Sequence, residues 1–212
     1  MVKNGLLILS LALISMLGSA QSETKPTYPH IRPTFDLDGK FTWVSNQSAK
    51  LFGIRIGVEI DRVNRFGIGY YALKDPVYTS SLSEISPLIN RAVLNMNYTS
   101  IYYERVIHYS KKYEWAANIQ AGIGRIEGVY SYASGVSNQY ATPFEMTELS
   151  TTFYRHLTYF ISIGGGIGYR QTFDAPQELR PIYNAPIVIL KIRFQPVKMV
   201  RGLWNKDIRH RY

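Results

Sequence analysis

The 212-residue sequence has no cysteine. Disulfides, thiolate metal sites and a thiol nucleophile are excluded together, and so is a lipid-anchored cysteine behind an export signal. Past residue 20 there is no uninterrupted apolar stretch of the roughly 20 residues a membrane-spanning helix needs. Low-complexity tracts and repeats longer than a hairpin are also missing. Acids are scarce, 15 against 24 basic residues for a net charge of +9. The Lys and Arg are nevertheless scattered, with a local excess only in the last fifteen residues. No groove-reading element gathers them, so nucleic acid is not an expected partner. Only four His are present, none in a cluster with metal-ligand spacing, and no cofactor is expected.

What the sequence has in plenty is alternation. In Phe35-Asp36-Leu37-Asp38-Gly39-Lys40-Phe41-Thr42-Trp43 and in Phe52-Gly53-Ile54-Arg55-Ile56-Gly57-Val58-Glu59-Ile60, every second residue is apolar and most residues between are charged or Gly. Side chains on a strand point alternately to opposite faces, so each segment carries one apolar face and one charged face. Alternation alone does not say which face is buried. Three features favour lipid outside. Glycines crowd the polar face (Gly53, Gly57, Gly67, Gly69, Gly122, Gly124, Gly164, Gly166, Gly168), where a narrow lumen needs small neighbours; on a solvated face they would only weaken the strands. Aromatic residues such as Phe66 and Tyr70, Tyr113 and Trp115 stand at strand ends, as headgroup belts require. The apolar faces run about five positions without a charge, near the length of a tilted span.

Residues 1–20 have the three parts of an export signal: Lys3, the apolar run from Leu6 to Leu17, and Gly18-Ser19-Ala20 before the cut. Residues 21–33 read as a Pro-bearing periplasmic lead-in, 34–197 as the barrel, and 198–212 as a basic amphipathic tail. Eight strands are expected, near 34–45, 50–61, 65–74, 93–108, 111–127, 144–155, 158–173 and 185–197. In the fourth, Tyr98 and Ile101 demand opposite parities, which predicts a bulge near Thr99 or a membrane span that begins there. Links after strands two, four and six are short, and those at 75–92, 128–143 and 174–184 are long. That asymmetry is the rule for outer-membrane barrels, with short turns in the periplasm and both termini there. The expected fold is therefore all-β, an eight-stranded antiparallel transmembrane barrel in a Gram-negative outer membrane, meeting outer-membrane lipid and lipopolysaccharide.

This parity sends Asp36, Asp38, Glu59, Glu104, Glu114 and Glu148 into the lumen with Lys40, Arg55, Arg170, Lys191 and Arg193. An eight-stranded barrel is just wide enough to be filled by its own side chains. Mixed signs therefore predict an interlocked plug, because unpaired buried charges are costly; an ion or proton pathway is the alternative. Catalysis on lipid would need a His with a Ser or carboxylate at the outer rim. His30, His108, His156 and His210 all fall at turns or termini on the opposite side, so no enzyme is expected. Glu145 and Glu148 are the acids nearest the outer rim. Gly164-Gly165-Gly166-Ile167-Gly168 lies mid-strand with no helix after it, which excludes a phosphate loop.

Beyond the barrel, Lys198, Arg201, Trp204, Lys206, Arg209 and Arg211 form a basic surface on an expected short helix. It suits a periplasmic protein or peptidoglycan as partner, or a helix lying in the interface. Outer segments 78–89 and 130–140, rich in Ser and Tyr, suit protein or glycan contact.

The export signal, lead-in, eight strands and short inner turns together resemble the OmpA/OmpX-like small outer-membrane barrels. The hairpin from Tyr102-Tyr103-Glu104-Arg105 through Lys111-Lys112-Tyr113-Glu114-Trp115 to Gln120-Ala121-Gly122-Ile123-Gly124 looks most like uncharacterised barrel proteins of Bacteroidota. The resemblance implies architecture and location, with roles ranging from adhesion and structure to secretion machinery. It also implies a terminal aromatic read by the insertion machinery, for which Phe194 is the candidate. The reading favours a structural or interaction role, as an accessory subunit of an envelope complex, over a lipid-modifying enzyme or a narrow pore.

Overall fold

The computed structural model describes residues 30–44, 47–75, 77–79, 89–132, 137–173, 184–197 and 199. The export signal, most of the lead-in, and the tail residues Lys198, Arg201, Trp204, Lys206, Arg209 and Arg211 lie outside the described residues.

Nine strands follow in chain order: β1 (Ile31–Val44), β2 (Gln47–Ile60), β3 (Asn64–Leu73), β4 (Val77–Thr79), β5 (Ile89–Tyr109), β6 (Tyr113–Tyr132), β7 (Ser137–His156), β8 (Ile161–Phe173) and β9 (Ala185–Phe194). Except for β3 and β4, each pairs antiparallel with its neighbour in the chain, and β1 pairs with β9. The remaining gap closes because β3 pairs with β5 from Asn64↔Arg105 to Ala72↔Asn97. The three-residue β4 resumes along β5 in a shifted register, so it prolongs the stave of β3. The result is a closed eight-stave barrel, the expected fold.

Closure removes every sheet edge at membrane level, the condition for strands to cross a bilayer. β3 and β9 have 10 residues each, about what a tilted crossing needs. β5, β6 and β7 have 21, 20 and 20, so they rise beyond the rim as hairpins. The expected long link at 128–143 is accordingly not a loop: pairing continues from Gly128↔Tyr140 to Ser131↔Ser137. Val129, Tyr130 and Tyr132 are strand formers, and continued pairing satisfies their backbone groups. Segment 78–89 divides among β4, β5 and residues outside the described set.

Other expectations are corrected in detail. β1 takes in Ile31-Arg32-Pro33, assigned above to the lead-in. There β1 pairs with β2 but not with β9, whose register begins at Phe35↔Phe194, so proline sits on a free edge where its missing N–H costs no ladder bond. β5 runs without a bulge at Thr99, from Tyr98↔Gly124 through Ile101↔Ala121. Parity is kept because Tyr98 points inward. Its register shifts lie instead at Ile89/Arg91 and Val106/His108. β8 begins at Ile161, so Tyr159 belongs to a turn. β9 stops at Phe194; Gln195 leaves the sheet, and Pro196 and Val197 are helical, proline being suited to a first turn.

Short turns join β2–β3, β5–β6 and β7–β8 at the end where the described chain enters β1 after His30 and leaves β9 at Phe194. In the first, Asp61 and Arg62 have φ of 52° and 61°, and Val63 N–H donates to Ile60 O at 3.1 Å, the geometry of a type I′ hairpin turn.

The outside is apolar: Phe52, Ile56, Ile68, Ile101, Ile123, Phe153, Ile167 and Leu190 are all exposed. Ile101 is 66% exposed while its neighbour Ser100 is 3% exposed. The inside holds the charges.

Candidate functional site: the paired charges of the interior

All eleven predicted lumen charges are buried inside the barrel, and a twelfth, Arg65, joins them. Parity with the outward Phe66, Ile68 and Tyr70 already assigns Arg65 to the inner face. It goes unrecognised although it is the first residue of the expected third strand, 65–74. With it the interior holds six acids and six bases, each with an opposite charge within 4.0 Å. The formal +9 of the chain therefore lies outside this core.

These twelve charges form two strata, each neutral, with Arg32 at the mouth of the first, 3.8 Å from Glu59. Nearer the short turns, Arg65 donates to Glu59 at 2.7 Å, Glu114 at 2.6 Å and Glu104 at 2.9 Å. Arg193 donates to Asp36 at 2.9 Å, Glu114 at 3.0 Å and Glu104 at 2.6 Å. Lys191 lies 3.7 Å from Glu104. Arg55 donates to Asn118 at 3.3 Å and Glu104 at 3.5 Å, with its guanidinium 3.5 Å from the centre of the Tyr102 ring. Glu104 is the hub, facing Arg55, Arg65, Lys191 and Arg193. In the next stratum Lys40 donates to Glu148 at 2.7 Å and Gln120 at 3.2 Å. Arg170 donates to Glu148 at 3.1 Å and to the Tyr98 hydroxyl at 3.2 Å, and Tyr71 donates to Asp38 at 2.7 Å.

Above the charges the inner face turns apolar. Met96, Ile126, Phe144, Met146 and Ile187 are buried there. Tyr98 joins the two zones: its ring stacks on Tyr71 at 4.7 Å and meets Phe144 edge-on at 6.3 Å.

The nine inward glycines make room for rings more than for long charged chains. A Cβ on Gly53 or Gly69 would collide with the Tyr71 ring, one on Gly57 or Gly67 with Tyr102, and one on Gly164 with Tyr154. Tyr71, Tyr98, Tyr102 and Tyr154 are thus interior residues that the sequence reading missed. An aromatic ring with a polar tip suits lipid and a hydrogen-bonded lumen equally well, so composition could not assign them.

The remaining candidates are dispersed. Glu148 is in the charge core, but Glu145 is on the outer face of β7, so the two acids form no pair. His30 and His108 are exposed. His156 Nδ1 lies 2.8 Å from Ser162 Oγ, a cross-strand pair beside the β7–β8 turn. His210 lies outside the described residues. Among the described residues no three His, Asp or Glu side chains are arranged to hold a metal ion. Chemically, the acids of the core are committed to cations.

The fold places this chain among outer-membrane-type β-barrels. It is similar to a major outer membrane protein of Thermus thermophilus, at 10% identity over 76% of this chain and 98% of that one, with a TM-score of 0.50. The N-terminal β-barrel domain of OprF from Pseudomonas aeruginosa follows at 11% identity over 79% and 98%, TM-score 0.49. Neisserial surface protein A matches at 13% identity over 79% and 99%, TM-score 0.45. No family model and no curated protein matches the sequence. At such identities the likeness concerns the fold alone.

Proposed function

We propose that the protein is an integral outer-membrane barrel whose lumen is closed by its own side chains and which acts through its ends, in a structural or interaction role. The observation carrying this reading is a core of six acids and six bases in which every charge has an opposite one within 4.0 Å. Arg55, Arg65, Arg170 and Arg193 are each 2% exposed or less, and an ion path would have to break their pairs. The positive excess outside the core, much of it in the basic tail, supports docking to a periplasmic protein or peptidoglycan, as an accessory subunit of an envelope complex. Short turns, with the described chain entering β1 and leaving β9 at the same end, support a periplasmic position for that end. The likeness to barrels of Bacteroidota rests on the 102–124 hairpin pattern.

Planar-bilayer recording tests the closed lumen: no conductance steps are expected, and steady steps refute it. Mild-detergent co-purification from the native envelope tests the role. Removing residues 199–212 is expected to leave a folded barrel and lose the partner; an unchanged profile removes the tail from the account. A second reading is lipid modification, against which stands the position of the His156–Ser162 contact at the end opposite the outer rim. Incubation with phospholipid and lipopolysaccharide, with no acyl chain released, excludes it.

A further inference from the structure

We propose that a groove on the outer face of β7, β8, β9, β1 and β2 holds one glycerophospholipid, its acyl chain across Gly39 and Gly165 and its phosphate on Arg155. The inference rests on the membrane reading above. Register sets Phe52, Gly39, Leu190, Gly165 and Phe153 side by side on five adjacent strands, all facing outward. Glycine beside leucine beside glycine leaves two notches, and the phenylalanines wall them. The groove has a volume of about 610 Å³.

Nothing within the fold requires glycine at these two positions. A Cβ on any of the nine inward glycines would meet another atom under 3.0 Å away, whereas one on Gly165 meets nothing within 4 Å and one on Gly39 comes no nearer than 3.6 Å. Neither glycine has a left-handed φ. Glycine inside a strand weakens it and often marks a close approach by something else; here the space opens outward.

Arg155 gives the groove a polar end. It lies next to the β7–β8 turn, opposite Ile163 on β8, and is exposed along the groove. Among the described residues it has no ion-pair partner. An apolar trough ending in a free guanidinium at headgroup depth complements an acyl chain joined to a phosphate, which arginine engages with a two-pronged hydrogen bond. Because that end carries the short turns, the leaflet it faces on this reading is the periplasmic one, which is made of glycerophospholipid.

The test is native mass spectrometry of the full-length barrel after exchange from micelles containing phosphatidylglycerol or a diacylglycerol of the same chains. One phosphatidylglycerol per barrel is expected to survive detergent washing, and the diacylglycerol to be lost. Gly165→Leu, which fills a notch without touching the fold, should stay heat-modifiable on gels and lose the lipid. Arg155→Gln should lower retention about fivefold, as removal of one charge-assisted contact implies, and Arg155→Lys, which keeps the charge and loses the fork, should restore only part of it. Wild-type barrel without lipid, equal retention by Gly165→Leu, or a second copy of the chain in place of lipid overturns the proposal. A chain that is folded and monomeric without detergent sinks the membrane reading as well; a detergent-requiring barrel that keeps no lipid sinks only the groove.

Discussion

The interior of this barrel is built in two ways, and the difference separates what fills space from what fixes arrangement. Near the short turns, charges cancel across strands far apart in sequence: Arg193 reaches Asp36 across 157 positions. Toward the long hairpins, Met96, Ile126, Phe144 and Met146 fill the same cross-section with apolar atoms. Apolar packing tolerates exchanges of similar volume. A buried ion network does not tolerate losing one member, because the partners remain charged without compensation.

The strongest way to break this comparison is a near-isosteric exchange in each zone. Glu104→Gln leaves four cations short of their shared anion and should cost about 3–5 kcal/mol, read as a lower urea midpoint for the barrel in detergent. Met96→Leu in the apolar zone should stay under about 1.5 kcal/mol by the same measurement. Equal costs would erase the distinction.

A neighbouring pair sharpens the contrast between inside and outside. Gly164→Ala drives a Cβ against the Tyr154 ring, which Arg193 holds from 4.1 Å, and should cost about 2 kcal/mol. Gly165→Ala should change stability by no more than about 0.5 kcal/mol. Next in size, Tyr154→Phe keeps the ring but removes the hydroxyl that lies 2.6 Å from Arg193 and 3.3 Å from Glu104. About 1.5 kcal/mol should be lost, since the hydroxyl touches charged groups. A smaller effect has the opposite sign. Arg62→Gly relieves a left-handed backbone at φ 61° and should raise the midpoint, by about 0.5–1 kcal/mol in stability.

Alternation made the faces of β1, β2, β6, β8 and β9 legible before any coordinates, because side-chain direction on a strand depends only on parity. Pairing was less legible. Glu59 and Arg65 face each other across one tight turn, six residues apart, and could be inferred locally. The partners of Glu104 come from β2, β3 and β9 and depend on closure of the whole cylinder. Tyr98 misled because its ring suits either side of the wall. Segment 128–143 misled because Tyr, Ser and Val serve loops and paired hairpins alike.

Position-specific accessibility tests the orientation most directly, and a chain without cysteine suits it. Ile101→Cys and Ser100→Cys, each carrying a nitroxide in a bilayer, should behave as opposites. The label at 101 should collide freely with oxygen dissolved in lipid and hardly at all with a water-soluble nickel chelate, while the label at 100 should meet neither. Free access of the chelate to position 101, with none for oxygen, would contradict a barrel that turns its apolar face to lipid.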